Sequence, residues 1–360
     1  FSATKIMWLL NKIQKDNNLS YEQICFGTID SYILYKLTGG NIHATDYTNA
    51  SRTMIFNIHN KQWDNDLLGY FNIPDHILPE VKPSSTVFGT TVELDILPAG
   101  IPISGIAGDQ QSALFGHYGV HSGDIKNTYG TGCFIMLNTG QSLVNSNNGL
   151  LTTLACDYLG KASYALEGTV FNAGSSVQWL RDGLGIINSA QETEGLAISI
   201  HDTGGIYMVP AFNGLGSPYW DTNAKGLIVG ITRGTEKKQI VRAALESIAF
   251  QSADLIQAML KDSNTSFNSL HVDGGASANN FLMQFQADIL SMPISRPLVL
   301  ETTALGAGML AGLTIGVWDH SDLENGFNPV DQTFEPNISA DQREGLLAGW
   351  RDAINRSLSK

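Results

Sequence analysis

The sequence predicts an α/β fold of about two domains. Its 360 residues exceed the usual length of a single domain. Thirty-seven glycines with only 15% charged residues are typical of a compact enzyme rather than of a disordered or coiled-coil chain. Short apolar strand patterns also alternate with helical patterns along the chain. A net charge of −13 argues against a general nucleic-acid surface. Three scattered cysteines form no disulfide or zinc pattern and favour a reducing, cytoplasmic compartment.

The N-terminal region predicts an amphipathic helix followed by shorter elements. The apolar positions of this helix have helical spacing: Ile6, Leu9, Leu10 and Ile13. The rest of the first hundred residues mixes short helical patterns with a polar, aromatic loop, Thr45–Asp64. Because the chain opens without Met and directly within a helical pattern, we expect the sequence to be the later part of a longer protein.

A lone carboxylate follows an apolar strand pattern in the segment GIAGDQQ. Asp109 ends this pattern, and the residues after it have a helical pattern. Asp is among the best N-cap residues, so a capping role is one interpretation. Catalysis by the carboxylate is the other, and these residues alone leave both open.

Glycine-rich junctions occur at three later positions. Asn127–Phe134 (NTYGTGCF) predicts a turn whose backbone N–H groups and hydroxyls could hold phosphate oxygens, with an ordinary β-turn as the alternative. In Leu270–Leu290 a strand, two glycines and a helix follow one another, as at the ligand crevice of an open α/β sheet. Gly174 similarly precedes a helix that carries Gln178. Close packing of backbone is the alternative at both of the latter junctions.

Two further helices are predicted in the second half. Gln239–Lys261 has one largely apolar stripe, formed by Val241, Leu245, Ile248, Ser252, Leu255 and Met259. Within this helix, Arg242 and Glu246 are one turn apart and predict a supporting surface or domain-edge ion pair. Ala304–Trp318 is apolar but too short to span a bilayer, and its small residues indicate a buried helix packed closely on a neighbour.

Taken together, these segments resemble the FGGY carbohydrate kinases over essentially the whole chain. The resemblance rests on GIAGDQQSALFG, NTYGTGCF, LEGTVFNAGSSVQWL and VDGGASANNFLMQFQADIL in this order. GTIDSYILYKLTGG, TDYTNASRTMIFN and RAALESIAFQ further resemble the members that phosphorylate glycerol. The resemblance implies two actin-like ATPase (ribonuclease H-like) domains around a cleft. Residues 1–116 would be the later part of the first, substrate-side domain, and residues 117–360 the second, nucleotide-side domain.

The resemblance also implies roles for individual residues. Asp109 matches the catalytic base, contacts substrate and helps to hold Mg²⁺ through water. Gln110 and Phe134 match substrate-binding positions. The nucleotide-binding positions implied are Gly130, Thr131, Gly174, Gln178, Gly275, Ala276 and Asn279.

The implied activity is the ATP- and Mg²⁺-dependent phosphorylation of glycerol to sn-glycerol 3-phosphate. The resemblance further implies a cytoplasmic homo-oligomer, a dimer or tetramer, with no nucleic-acid partner and no stable membrane insertion. The family's first phosphate loop and its glycerol-gripping Arg-Glu pair are expected upstream of Phe1. Two alternatives stay open: a sibling kinase for a pentulose or a gluconate-type sugar, and a non-catalytic nucleotide-binding module if the chain truly starts at Phe1.

Overall fold

The computed structural model describes residues 1–16, 20–263 and 265–359. The chain divides into two compact units, each containing helices and strands. The first unit comprises Phe1–His121, Thr153–Ala165 and Thr302–Phe327, and the second comprises Ser122–Thr152, Leu166–Glu301 and Asn328–Lys360. The predicted mixed α/β architecture is confirmed.

Twelve α-helices are formed within the described residues. They are α1 (Ser2–Asp16), α2 (Ile29–Leu37), α3 (Tyr47–Ala50), α4 (Asn65–Phe71), α5 (Asp109–Gly116), α6 (Gly174–Gln178), α7 (Glu192–Ile198), α8 (Lys237–Ser263), α9 (Asn280–Leu290), α10 (Thr302–Ile315), α11 (His320–Glu324) and α12 (Ala340–Ser357). A single π-helical turn, Trp179–Gly183, extends α6.

Fifteen strands are formed within the same residues. They are β1 (Ala44–Asp46), β2 (Phe56–Asn57), β3 (Gln62–Trp63), β4 (Glu80–Lys82), β5 (Ser85–Thr90), β6 (Pro102–Gly105), β7 (Ile125–Tyr129), β8 (Cys133–Gly140), β9 (Leu151–Cys156), β10 (Ala162–Val170), β11 (Tyr207–Val209), β12 (Leu227–Val229), β13 (Leu270–Asp273), β14 (Ile294–Pro297) and β15 (Val330–Phe334).

Helix α1 confirms the predicted N-terminal amphipathic helix, with one correction to its buried face. Ile6 and Leu10 are buried together with Ala3, whereas Leu9 is 48% exposed. Leu9 precedes Leu10 by one residue, or about 100° around the helix, so the two side chains cannot share one narrow face. The buried positions described in α1 are therefore 3, 6 and 10.

The predicted loop Thr45–Asp64 contains short regular elements instead. It begins within β1 and includes α3 and the hairpin of β2 and β3. Asp46 caps α3, and Asp64 caps α4 by accepting from the backbone N–H groups of Asp66 and Leu67. Local side-chain capping of this kind stabilises elements too short to show an apolar period.

Most of the apolar segment 304–318 lies in α10, which ends at Ile315 and packs closely on a neighbouring helix, as predicted; that neighbour is α5. A Cβ on Gly306 would lie 1.9 Å from the carbonyl oxygen of Ser112, and one on Gly116 would lie 2.1 Å from that of Thr302. Because neither glycine has a side chain, the two helix backbones approach each other directly. Helix α5 is thereby fixed against the interior of the first unit.

The second unit contains most of a seven-stranded sheet of order β15-β14-β13-β7-β8-β10-β9. Strands β7, β13 and β14 are parallel neighbours, whereas β8 is antiparallel to β7. Asn127 pairs with Val272 and Thr128 with Asp273, so the carboxyl ends of β7 and β13 lie side by side. This edge is where open α/β sheets bind ligands.

Helix α8 confirms the predicted long helix and extends it by two residues at each end. All six residues of its predicted stripe are buried. None of the helices within residues 1–16, 20–263 and 265–359 combines the length and the apolar character that a membrane crossing requires.

Candidate active site

The carboxylate of Asp109 lies at the first turn of α5. Strand β6 ends at Gly105, and the extended residue Gly108 is the N-cap, so the interpretation of Asp109 as the cap is wrong. Asp109 is exposed, and its Oδ1 accepts from the backbone N–H of Gln110 at 2.8 Å. Its Oδ2 accepts no hydrogen bond from the described residues. One carboxylate oxygen of Asp109 is therefore available to interact with a ligand in the solvent.

Gln110 and Phe134 occupy different units. Gln110 follows Asp109 on α5 and is half-buried. Phe134 lies on β8 opposite Thr128 and is also half-buried. Neither residue lines the cavity described next.

The second unit contains a cavity of about 370 Å³ at the carboxyl ends of β7 and β13. All seven residues matched to the nucleotide line it: Gly130, Thr131, Gly174, Gln178, Gly275, Ala276 and Asn279. Three separate stretches of sequence thus meet at one place. Cavities of this size suit small organic ligands.

The glycines that line this cavity or lie beside it in the sequence fall into two groups. Added Cβ atoms on Gly132, Gly174 and Gly274 would lie 2.3, 2.6 and 2.6 Å from backbone oxygens, so these glycines allow loops to pack on each other. Gly275 has no atom within 4 Å of an added Cβ, and Gly130 has only one, at 3.8 Å. Packing therefore leaves the last two glycines unexplained, whereas approach of a ligand to the backbone would account for them.

Backbone hydrogen bonds join two of these loops. The N–H of Gly174 donates to the carbonyl of Gly130 at 3.0 Å, and those of Ala173 and Ser175 donate to the carbonyl of Thr131 at 2.9 and 3.1 Å. The loop Gly130–Gly132 is consequently more than an isolated β-turn. Its carbonyls are used internally, while the Thr131 side chain is exposed.

Asn279 has a structural role that its sequence context did not reveal. Its side-chain oxygen caps α9 by accepting from the N–H of Leu282 at 3.0 Å. Its amide nitrogen donates to the hydroxyl of Thr193 at 3.3 Å. Asn279 therefore fixes the start of α9 against α7 while lining the cavity.

The cavity also includes residues that the sequence patterns did not indicate. Arg181 and Glu194 bring charge, Leu245 and Ile248 of α8 bring apolar surface, and Ala190, Gln191 and Thr193 bring the segment before and within α7. No glycine motif or apolar period marks Ala190–Glu194. Only the packing of α7 beside α8 and α9 brings this segment to the cavity.

Arg242 and Glu246 lie inside the second unit, which corrects the predicted surface or domain-edge pair. Their side chains are 14% and 4% exposed, and Arg242 Nε donates to Glu246 Oε1 at 2.7 Å. Arg242 Nη1 also donates to the carbonyls of Ala197 and Ile200 at the end of α7, while its guanidinium lies 4.8 Å from the ring centroid of Phe281. The pair thus joins α7, α8 and α9, the helices around the cavity.

Burial controls the ionisation of Glu246. Desolvation raises the pKa of its carboxyl from 4.5 to about 7, partly opposed by the hydrogen bond and charge of Arg242 and assisted by the nearby Asp202. The same buried charge contributes to a raised pKa of Tyr207, whose larger cause is its own burial. A buried ion pair of this kind gives little net stabilisation, but loss of one partner is costly.

Magnesium binding would depend on few protein ligands. Across the described ranges, no three His, Cys, Asp or Glu side chains cluster as metal ligands would. Mg²⁺ commonly binds through one or two carboxylates together with phosphate oxygens and water. The exposed carboxylate of Asp109 fits that mode, because it is a hard oxygen donor in contact with solvent.

Comparison with known proteins reveals matches over both parts of the chain. Residues 1–116 match the N-terminal domain and residues 125–315 the C-terminal domain of the FGGY family of carbohydrate kinases. Glycerol kinase 2 of Thermotoga maritima is 53% identical over 359 residues, 99% of this chain and 72% of that protein. The glycerol kinase of Pseudomonas fluorescens is 52% identical over 99% of this chain and 70% of its own length.

Solved structures have the same fold. The crystal structure of Plasmodium falciparum glycerol kinase with ADP has a TM-score of 0.91 and 36% identity, covering all of this chain and 72% of its own. Gluconate kinase from Lactobacillus acidophilus has a TM-score of 0.83 and 25% identity, covering 99% of this chain and 72% of its own. Similar backbones therefore accompany quite different degrees of sequence identity.

Proposed function

Because the chain belongs to the FGGY family of carbohydrate kinases, we propose that it transfers the γ-phosphoryl group of ATP to glycerol, forming sn-glycerol 3-phosphate and ADP. The observation that carries the choice of substrate is the contrast in identity. The two bacterial glycerol kinases share 53% and 52% of residues with this chain and the Plasmodium glycerol kinase shares 36%, whereas the gluconate kinase shares 25% on a similar backbone.

In this proposal Asp109 is the general base. The attacking hydroxyl oxygen forms a bond to the γ-phosphorus, the bond from that phosphorus to the bridging oxygen breaks, and ADP leaves. The hydroxyl proton passes to Asp109, whose Oδ2 is free of hydrogen bonds from the described residues. Phosphoryl transfer depends mainly on positioning and electrostatic stabilisation, so one well-placed carboxylate suffices for the proton.

The second unit holds the nucleotide in this proposal. Gly130, Thr131 and Gly275 let phosphates and sugar approach the backbone, and the apolar residues of α8 and α9 face the base. Gln110 and Phe134 contact glycerol. When bound, Mg²⁺ would neutralise phosphate charge next to Asp109.

The boundary between the two FGGY domains lies between residues 116 and 117 of the sequence. Helix α10 follows this boundary in the sequence, but its contacts group it with the first unit. The protein is a cytoplasmic homo-oligomer that requires magnesium and has no nucleic-acid partner.

A coupled assay of ADP formation tests the substrate. Purified protein is supplied with ATP and Mg²⁺ and then with glycerol, xylulose or gluconate, each against a sample without acceptor. We expect glycerol to stimulate ADP formation by about tenfold or more over either sugar, since a site that hydrogen-bonds its substrate rejects poorly matched analogues. A larger rate with xylulose or gluconate would mean that this compound, and not glycerol, is the preferred substrate.

A further inference from the structure

A buried carboxylate lies behind the turn that carries Asp109. Asp46 is 0% exposed and accepts five hydrogen bonds. Two come from the backbone N–H groups of Thr48 and Asn49 at 2.9 and 3.0 Å. Three come from side chains: the Thr48 hydroxyl and the Ser84 hydroxyl at 2.6 Å each, and the Asn49 amide at 2.8 Å. Capping of the four-residue helix α3 accounts only for the two backbone contacts.

The hydroxyl of Thr48 connects this carboxylate to the active-site turn. A hydroxyl has one hydrogen, and Thr48 donates it to Asp46 Oδ2. The hydroxyl oxygen is then available as an acceptor, and the N–H of Gly108 donates to it at 2.7 Å. Gly108 directly precedes Asp109, so the carboxylate at 46 orients the hydroxyl that holds the turn.

The rest of the turn is fixed from other directions. The Gln111 amide donates to the carbonyl of Leu154 at 3.1 Å, and the Ser112 hydroxyl donates to the carbonyl of Thr303 at 2.7 Å. Both contacts act on the body of α5. The Thr48–Gly108 bond acts on the residue before the helix, where a backbone rotation would displace Asp109 directly.

We propose that Asp46 and Thr48 are positioning residues for Asp109, holding its backbone through the N–H of Gly108 so that the carboxylate meets the attacking hydroxyl in a reactive geometry. This inference rests on the proposed role of Asp109 as general base. A misplacement of about 1 Å can cost roughly a hundredfold in rate, so a single buried bond at this position has kinetic consequences.

The test compares two substitutions at Thr48. Thr48→Val keeps the shape but removes the hydroxyl, and we expect kcat to fall by roughly tenfold to a hundredfold while the KM for ATP changes by less than about threefold. Thr48→Ser restores the hydroxyl and should restore kcat to within about threefold of wild type. Thr53→Val is the matched control, because Thr53 is equally buried and, among the described residues, its hydroxyl bonds only to the backbone of Ala50 and Ile55.

A double-mutant cycle separates positioning from general destabilisation. In an Asp109→Asn background, Thr48→Val should cost less than about threefold further in rate, because the carboxylate that it positions is already absent. An unchanged tenfold or larger loss in that background would overturn the proposal. So would a loss of kcat in Thr53→Val equal to that in Thr48→Val.

Hydrogen exchange provides a readout that needs no substrate. Thr48→Val should accelerate exchange of the Gly108 amide by roughly tenfold or more, and Thr48→Ser should not. Unchanged exchange in Thr48→Val would overturn the proposal whatever the protein phosphorylates. If exchange responds but glycerol gives no turnover, the proposed function fails while the backbone restraint stands.

A milder variant keeps the test decisive if Thr48→Val does not fold. Ser84→Ala removes one donor to Asp46 and leaves the Thr48–Gly108 bond in place. We expect an intermediate loss of kcat, about two- to fivefold, with faster exchange at Gly108. Wild-type kcat and exchange in folded Ser84→Ala would count against the role of Asp46.

Discussion

The turn before Asp109 and the cavity in the second unit are held by different kinds of contact. In the first unit, the Thr48 hydroxyl and the Asp46 carboxylate hold the N–H of Gly108. In the second, backbone groups of residues 130–131 and 173–175 bond to one another, and glycines allow the loops to touch. In the proposed function, a proton acceptor must have one oxygen atom held in a precise position, and side-chain hydrogen bonds can fix a turn in this way. A nucleotide contacts a wide surface, which packed backbone can provide.

The largest expected effect is the loss of kcat when the carboxylate of Asp109 is replaced by an amide. Asp109→Asn should lower kcat by about 10²–10⁴-fold, because general-base catalysis is worth that much, while the Kd for ADP stays within a few-fold of wild type. Steady-state kinetics and ADP titration measure the two quantities. Asp341→Asn is the matched control, since Asp341 is also an exposed first-turn acid of a helix. Retention of most turnover in Asp109→Asn would reduce Asp109 to a helix-terminal charge.

A smaller effect is expected from filling the cavity at one of its open glycines. Gly275→Val adds a side chain where no atom lies within 4 Å, so the fold should tolerate it while the new methyl groups occupy ligand space. We expect the Kd for ADP to rise by about tenfold or more, or at least 1.4 kcal/mol, with little change in the KM for glycerol. Gly345→Val on α12 is the control, because it too has open space around the added Cβ. An equal loss of affinity for ADP and for glycerol would mean that the cavity of the second unit is not specific to the nucleotide.

A separate prediction, on stability rather than on catalysis or binding, concerns the pH dependence of the second unit. The pKa of Glu246 is raised to about 7 from 4.5 by burial, so the folded protein binds this proton more tightly than the unfolded chain does. Its contribution to stability therefore decreases as pH rises from about 4.5 through about 7. In Glu246→Gln that decrease should be absent, a difference from wild type on the order of 3 kcal/mol between pH 5 and 8. Urea unfolding across this range measures it.

The control for this pH dependence is Glu192→Gln on α7. Hydrogen bonding to the backbone N–H of Asn188 lowers the pKa of Glu192, so its contribution to stability changes only at more acidic pH. The difference between this variant and wild type should stay constant from pH 5 to 8. Identical pH profiles for wild type and Glu246→Gln would mean that Glu246 keeps its charge through the ion pair with Arg242.

The sequence by itself determined the elements that have a strong period or a local motif. The stripe of α8 and the amphipathic α1 were predicted because helical spacing of apolar residues reflects burial on one face. Helix α10 was predicted from a short apolar run that is rich in small residues. The three glycine junctions and the carboxylate at Asp109 were also found from local patterns. Their assignment to a kinase came from the resemblance of the whole set, since each motif alone had an ordinary structural alternative.

The tertiary structure alone decided which residues from distant segments meet. Ala190–Glu194 has no recognisable pattern, yet packing of α7 places it at the cavity. Arg242 and Glu246 have the spacing of a surface pair, but contacts from α7 and α9 enclose them. Thr48 is sixty residues from Gly108, and only the folded first unit joins them. Local patterns report a residue's own helix or strand, whereas long-range hydrogen bonds and burial depend on elements far away in the chain.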